Sequence, residues 1–201
     1  MTAFPTLRTE RLLLRALTRD DAAAVQRLVG VREIAAMTLT IPHPYTTSMA
    51  EEWIAALPER WERGEAVHWA ITRLSDEALI GVIGLEIAAK HERGELGYWV
   101  GLPFWGQGYC TEAARAVVDW AFVTLGLARV QAQHVGGNEA SGRVMIKLGM
   151  LREGVLRQHA LKWGQRVDLV CYGLLRAEWE AQRSSDSGIS MSASSSCASA
   201  T

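Results

Sequence analysis

The spacing of apolar residues along the chain switches between period two and period 3.6, and each switch marks an element. Residues 7–17 read as a first strand, and Thr18-Arg19-Asp20-Asp21 supplies a polar start for a helix over residues 22–29. After the turn-rich run Ile41-Pro42-His43-Pro44-Tyr45-Thr46, a cap at Thr47 or Ser48 predicts a helix to about Arg63, with Trp53, Ile54, Leu57 and Trp61 on one stripe and Gly64 ending it. Three strand-like runs follow at residues 67–73, 79–87 and 95–101, separated by polar turns at 75–77 and 91–94, which is the pattern of an antiparallel meander. From residue 111 to 125 the positions Ala113, Ala114, Val117, Val118, Ala121, Phe122 and Leu125 keep helical spacing, and Gly126 stops the element. A strand at 128–135, a helix at 139–148 closed by Gly149, strands at 151–161 and 166–174 and a helix at 176–183 complete a mixed α/β order without internal repeats.

Composition narrows the classes. Residues 184–201 hold nine serines in 18 positions and too little apolar surface to offset their ordering entropy, so the chain divides into a domain over residues 1–183 and a disordered serine-rich tail over 184–201. With 21 Lys and Arg against 22 Asp and Glu, the net charge of -1 provides no basic field for nucleic acid or an anionic membrane. No run of 18 apolar residues occurs, and residues 1–15 lack the apolar core of a signal peptide. Cys110, Cys171 and Cys197 are odd in number and lack metal-like spacing, which argues against a disulfide framework and against a metal, and fits a reducing cytoplasm.

The candidate chemistry lies in Gly101-Leu102-Pro103-Phe104-Trp105-Gly106-Gln107-Gly108-Tyr109-Cys110-Thr111, which joins a strand to the most regular helix. Glycines at 106 and 108 let the backbone aim its N–H groups at one point, and the helix start adds its own free N–H groups, so the segment suits a phosphate. A dinucleotide-binding fingerprint does not fit, because Thr111 occupies its third glycine position and residues 129–135 contain no acidic residue. On spacing alone, a plain structural turn remains an equal alternative.

Glu95-Leu96-Gly97-Tyr98-Trp99-Val100, then Trp105-Gly106-Gln107-Gly108-Tyr109-Cys110-Thr111-Glu112-Ala113, then Asn138-Glu139-Ala140-Ser141 and Lys147-Leu148-Gly149-Met150 together resemble the GCN5-related N-acetyltransferase superfamily, in its ribosomal-protein alanine N-acetyltransferase branch. The likeness extends over roughly residues 7–180, with Pro103 departing from the superfamily's usual arginine or glutamine and Cys110 standing where the branch commonly has alanine. It implies a mixed, mostly antiparallel sheet of about seven strands flanked by helices and splayed between the fourth and fifth strands. It also implies acetyl-coenzyme A as cosubstrate, a primary amine as acceptor, and a monomer or homodimer.

Carried over by residue, Trp99, Val100 and Gly101 flank the pantetheine arm, Gly106, Gln107, Gly108, Tyr109, Cys110 and Thr111 hold the pyrophosphate, and Asn138 and Lys147 add contacts to the arm and a phosphate. Asn138 equally suits an N-cap. Glu95 is the candidate base, acting through a water, and Ser141 the candidate acid for the departing thiolate. His43 and Tyr45 are expected on the acceptor wall; His134 and His159 are weaker candidates for a base. The eight tryptophans read as packing, with Trp99 and Trp105 as exceptions. A non-catalytic acyl-coenzyme A-binding regulatory module on the same fold is the alternative, and the presence of Glu95, Asn138 and Ser141 beside the loop favours the enzyme.

Overall fold

A computed structural model describes the backbone of residues 3–192 and the side chains of residues 3–184. Its strands are β1 (Leu7–Arg8), β2 (Leu12–Ala16), β3 (Ala66–Arg73), β4 (Leu79–Ala88), β5 (Arg93–Val100), β6 (Arg129–Val135), β7 (Leu151–Lys162) and β8 (Gln165–Leu175). Its helices are α1 (Ala22–Val29), α2 (Arg32–Met37), α3 (Thr47–Glu62), α4 (Tyr109–Val123), α5 (Glu139–Lys147) and α6 (Arg176–Ser192). The strands form one sheet in the order β1-β2-β3-β4-β5-β6-β8-β7, antiparallel throughout except for the parallel pair β5 and β6.

Eight strands replace the expected seven because the polar run at residues 8–11 folds back on itself. Thr9 donates its N–H to the Leu12 carbonyl at 2.9 Å and its hydroxyl accepts from the Leu12 N–H at 3.0 Å, which closes a turn between β1 and β2. The cap of α3 is Thr46, one residue before the expected pair, with its hydroxyl accepting from Met49 N–H. Helix α2 has no counterpart in the sequence pattern: it is six residues long and its N-cap position is Val31, which offers no side-chain oxygen. Helix α4 begins at Tyr109, two residues earlier than its apolar spacing suggests. Helix α6 runs nine residues past Arg183, to Ser192, through the first part of the segment expected to be disordered, and residues 193–201 of that tail lie outside the described residues.

Alternation along the strands separates two cores. On one face Leu12, Trp69, Ile83, Leu85 and Leu96 pack against Val117, Phe122 and Trp120 of α4 and Met145 of α5. On the other, Ala70 and Val82 pack against Val25 of α1, Ile34 of α2 and Ile54 of α3, with Trp99 at the edge. Trp69 meets Trp120 edge-to-face with centroids 5.2 Å apart, and Trp179 stacks on Phe122 at 5.2 Å, as the packing role requires. Trp163 does not follow that reading: it is 50% exposed at the turn between β7 and β8, where the side chains of Arg32 and Lys162 lie against its ring.

Candidate active site

β5 and β6 pair only from Arg93↔Arg129 to Leu96↔Ala132. Beyond Leu96, β5 stays bonded to β4 while β6 continues on β8 to Val135, so a wedge opens between the fourth and fifth strands as the sequence counted them. Gly101 donates its N–H to the Ile80 carbonyl on the β4 side at 2.9 Å. Antiparallel alternation therefore turns the main-chain groups of Val100 and Tyr98 into the wedge. The Val100 carbonyl is occupied by the Trp105 indole N–H at 2.6 Å, which leaves the Val100 N–H and the main chain of Tyr98 presented there. Gly101, expected beside the arm as well, has its N–H on β4; an added Cβ would stand 2.7 Å from Leu28.

The loop from 101 to 108 leads from this wedge into α4. Gly106 and Gly108 have φ of 75° and 81°, the left-handed region that glycine enters without strain, and Gly108 is the N-cap of α4. Among the described residues, the N–H groups of Gly106, Gln107, Gly108, Tyr109, Cys110 and Thr111 donate to no other group of the protein, while the next, Glu112 N–H, closes onto the Gly108 carbonyl at 3.0 Å. Six donors at one helix start form an anion cradle. Arg11 borders it, donating to the Gln107 carbonyl at 3.1 Å and lying over the Tyr109 ring at 4.5 Å. The Cys110 thiol is pushed up to about 12 by burial, which makes it an inert packing group whose backbone alone faces the cradle.

Glu95 and Ser141 lie on opposite sides of the sheet at the closed end of the wedge. Glu95 shares the α1–α3 face with Trp99, and Gly97 between them leaves open space. Its carboxylate accepts from Gln131 Nε2 at 2.9 Å and from Gln133 Nε2 at 3.0 Å, one glutamine to each oxygen. Its neighbour across β4, Glu86, is paired with Arg60 at 2.5 Å, whereas no cation pairs with Glu95 among the described residues. Ser141 stands in the first turn of α5 on the α4 face, and its hydroxyl lies 3.0 Å from the hydroxyl of Tyr98.

The remaining candidates divide. Asn138 is the N-cap of α5, accepting from Ser141 N–H at 3.2 Å, and its amide nitrogen donates to the Met37 carbonyl at 3.2 Å. Lys147 is exposed at the far end of α5, and its carbonyl accepts from Arg115 at 2.8 Å. Tyr45 packs in the same cluster as Trp99, where burial raises its pKa; His43 is exposed in the preceding turn and has no hydrogen bond or ion pair to the site among the described residues. His134 is buried under α5 with Nδ1 donating to the Val135 carbonyl at 2.9 Å and Nε2 without a partner. Among the described residues no group of three His, Cys, Asp or Glu side chains is placed to hold a metal ion. No described helix is long and apolar enough to cross a membrane.

A strand pair that splays beside a fan of free N–H groups is joined by a direct sequence correspondence: residues 11–151 match the family model described as acetyltransferase (GNAT) domain. The chain belongs to the GNAT acetyltransferase family. Among its GNAT relatives, the uncharacterized N-acetyltransferase YoaA of Bacillus subtilis is 33% identical over 174 residues, covering 86% of this chain and 98% of the relative. The [ribosomal protein uS5]-alanine N-acetyltransferase of Escherichia coli K12 is 25% identical over 132 residues, 65% of this chain and 68% of the relative. A crystal structure named probable acetyltransferase superposes with a TM-score of 0.79 at 28% identity, covering 87% of this chain and 98% of that one. Two features of this GNAT site escaped the residue-by-residue reading. Tyr98 was legible only as part of a strand motif, and Gln131 and Gln133 had no signal beyond period-two alternation on the strand next to Glu95.

Proposed function

We propose that the chain transfers an acetyl group from acetyl-coenzyme A to a primary amine by direct attack in a ternary complex. The acceptor is a protein N-terminal α-amine or the amine of a small molecule. The observation that carries this reading is the meeting of the six unpartnered N–H groups of residues 106–111 with the open edge of β5. Each helix-end interaction with an anion contributes about 0.3–1 kcal/mol when exposed, so a cradle of several donors is what a pyrophosphate requires. The pantetheine arm then lies along Tyr98 to Gly101 with Asn138 opposite, and Lys147 stands at the outer end of the same helix for a phosphate. Among the described residues Cys110 and Cys171 are free thiols, which fits a reducing cytoplasm.

Bound acetyl-coenzyme A supplies the activated acyl group. Glu95, held by two neutral amides and facing the α1–α3 side with Trp99 and Tyr45, takes the proton of the attacking amine through a water. Ser141, on the opposite side, faces the sulfur as the carbon–sulfur bond breaks. An α-amine of pKa about 7.8 is roughly one part in seven neutral at pH 7, against about one part in a few thousand for a lysine, so a carboxylate base suits an α-amine. The relative named [ribosomal protein uS5]-alanine N-acetyltransferase supports the same class of acceptor.

Calorimetric titration with acetyl-coenzyme A, followed by thiol release with α-amine peptides, polyamines and amino acids, tests the proposal. Binding with turnover supports it and ranks the acceptors. Binding without turnover across the panel favours the regulatory module, and absence of binding overturns the assignment of the loop.

A further inference from the structure

Two residues past Leu96, the last of β5 to pair with β6, the ring of Tyr98 crosses the wedge toward α5 instead of lying along its own strand. Its hydroxyl sits 3.0 Å from Ser141 Oγ and 3.2 Å from the Ser141 carbonyl oxygen. The Ser141 hydroxyl has no other hydrogen-bond partner among the described residues, and the Ser141 N–H is already held by Asn138. One phenolic proton therefore faces two oxygens of a single residue.

We propose that Tyr98 is a positioning residue for acetyl transfer: it donates to Ser141 and so directs the Ser141 hydroxyl proton into the wedge, toward the sulfur that leaves. The inference rests on the reading of Ser141 as the group facing that sulfur. A serine hydroxyl in a first helical turn has a competing acceptor in the carbonyl one turn back, and a hydroxyl turned that way offers sulfur only lone pairs. With Tyr98 donating, Oγ is satisfied as an acceptor and its own proton is left for the wedge.

In the transfer, the amine nitrogen bonds to the carbonyl carbon and gives a proton to the water on Glu95. The carbon–sulfur bond breaks with its electron pair on sulfur, and sulfur takes the Ser141 proton in the same step in which Ser141 takes one from solvent, so that no serine alkoxide forms. Tyr98 is not the source of that proton. Its hydroxyl is turned to the two oxygens of Ser141, and burial, with Cys110 and Tyr172 nearby, holds its phenol above the ordinary value of 10. Tyr98 remains a neutral donor throughout, which is what a fixed orientation requires.

The test is a double-mutant cycle on Tyr98→Phe and Ser141→Ala, reading kcat, the KM for acetyl-coenzyme A and its calorimetric Kd with one α-amine peptide. Ser141→Ala is expected to lower kcat about 100-fold. Tyr98→Phe is expected to lower kcat about tenfold with KM and Kd unchanged, the effect of one hydrogen bond present in the transition state. Adding Tyr98→Phe to Ser141→Ala should then change kcat no further. Tyr98→Phe with wild-type kcat, an effect confined to KM, or a full tenfold loss in the Ser141→Ala background overturns the positioning role while leaving Ser141 in place. Ser141→Ala with wild-type kcat overturns the assignment of Ser141 and the inference with it.

Discussion

Arg11 and Glu112, 101 residues apart, join the N-terminal hairpin to the first turn of α4: the carboxylate accepts the Arg11 backbone N–H at 2.9 Å and its Nε at 2.7 Å. Thr9 adds a hydroxyl donor at 2.6 Å. Burial pushes the Glu112 carboxyl up, but the donations from Thr9 and Arg11 outweigh it, and the group titrates below its ordinary value. A lowered folded-state pKa stabilises the protein above the unfolded value of about 4.3, and that contribution disappears as pH falls through the lower folded value. Glu112→Gln should therefore lose about 1 kcal/mol at pH 7, discounted for partial exposure, with a fall in Tm of about 2–4 °C. Thermal unfolding of both proteins from pH 7 to pH 3 should show the two curves converging below about pH 4.

Gly108 is the point where the loop enters α4 with φ of 81°. Gly108→Trp places a large side chain over the cradle, at a Cβ position 3.4 Å from the Arg11 guanidinium, and adds backbone strain of about 1–3 kcal/mol. Binding of acetyl-coenzyme A should vanish in calorimetry while the circular dichroism spectrum stays that of the wild type. Unchanged affinity would remove the phosphate-loop assignment.

Glu95 is held through both oxygens by Gln131 and Gln133. Glu95→Gln should lower kcat by about 100-fold or more, the range of a lost general base, with little change in the Kd of acetyl-coenzyme A. Gln133→Leu keeps the carboxylate and loses one of its two holders, so its kcat should fall between that of wild type and Glu95→Gln. Steady-state rates at several pH values check both; equal activity of Glu95→Gln at every pH removes Glu95 as the base.

Gly142 lies in the interior of α5, where alanine is ordinarily better by about 1 kcal/mol. Here a Cβ would stand 3.0 Å from His134 Nε2 and 3.1 Å from the Tyr172 hydroxyl, and both side chains are buried at 4% and 5% exposure. Neither has room to move, so the crowding, about 1–3 kcal/mol, outweighs the helix gain. Gly142→Ala should lower Tm by several degrees, and kcat should fall as the turn carrying Ser141 shifts. A rise in Tm would show that α5 is not seated against these two rings.

The helix α1, the meander β3 to β5, the regular part of α4 and the glycine loop before it follow from the sequence alone. Each is written in local spacing: period 3.6 with Val117, Val118 and Ala121, period two along β5, and glycines where positive φ is needed. The motifs around Glu95, Gly106 and Asn138 likewise placed the chain in its family. The turn that splits the first strand, the capless helix α2 and the exposure of Trp163 were not legible, because each depends on what a distant segment covers.

The partners within the site were decided by tertiary structure. Glu95 finds Gln131 and Gln133 at separations of 36 and 38 residues, Tyr98 reaches Ser141 across 43, and Arg11 meets Glu112 across 101. The pairs at Glu95 and Tyr98 exist because β6 joins β5 in parallel for four residues and then diverges, opening the wedge over which α5 and the loop face each other. Hydrophobic periodicity reports which side of an element is buried; the order of strands in a sheet, and where a pairing stops, are set by contacts between elements that leave no local signature.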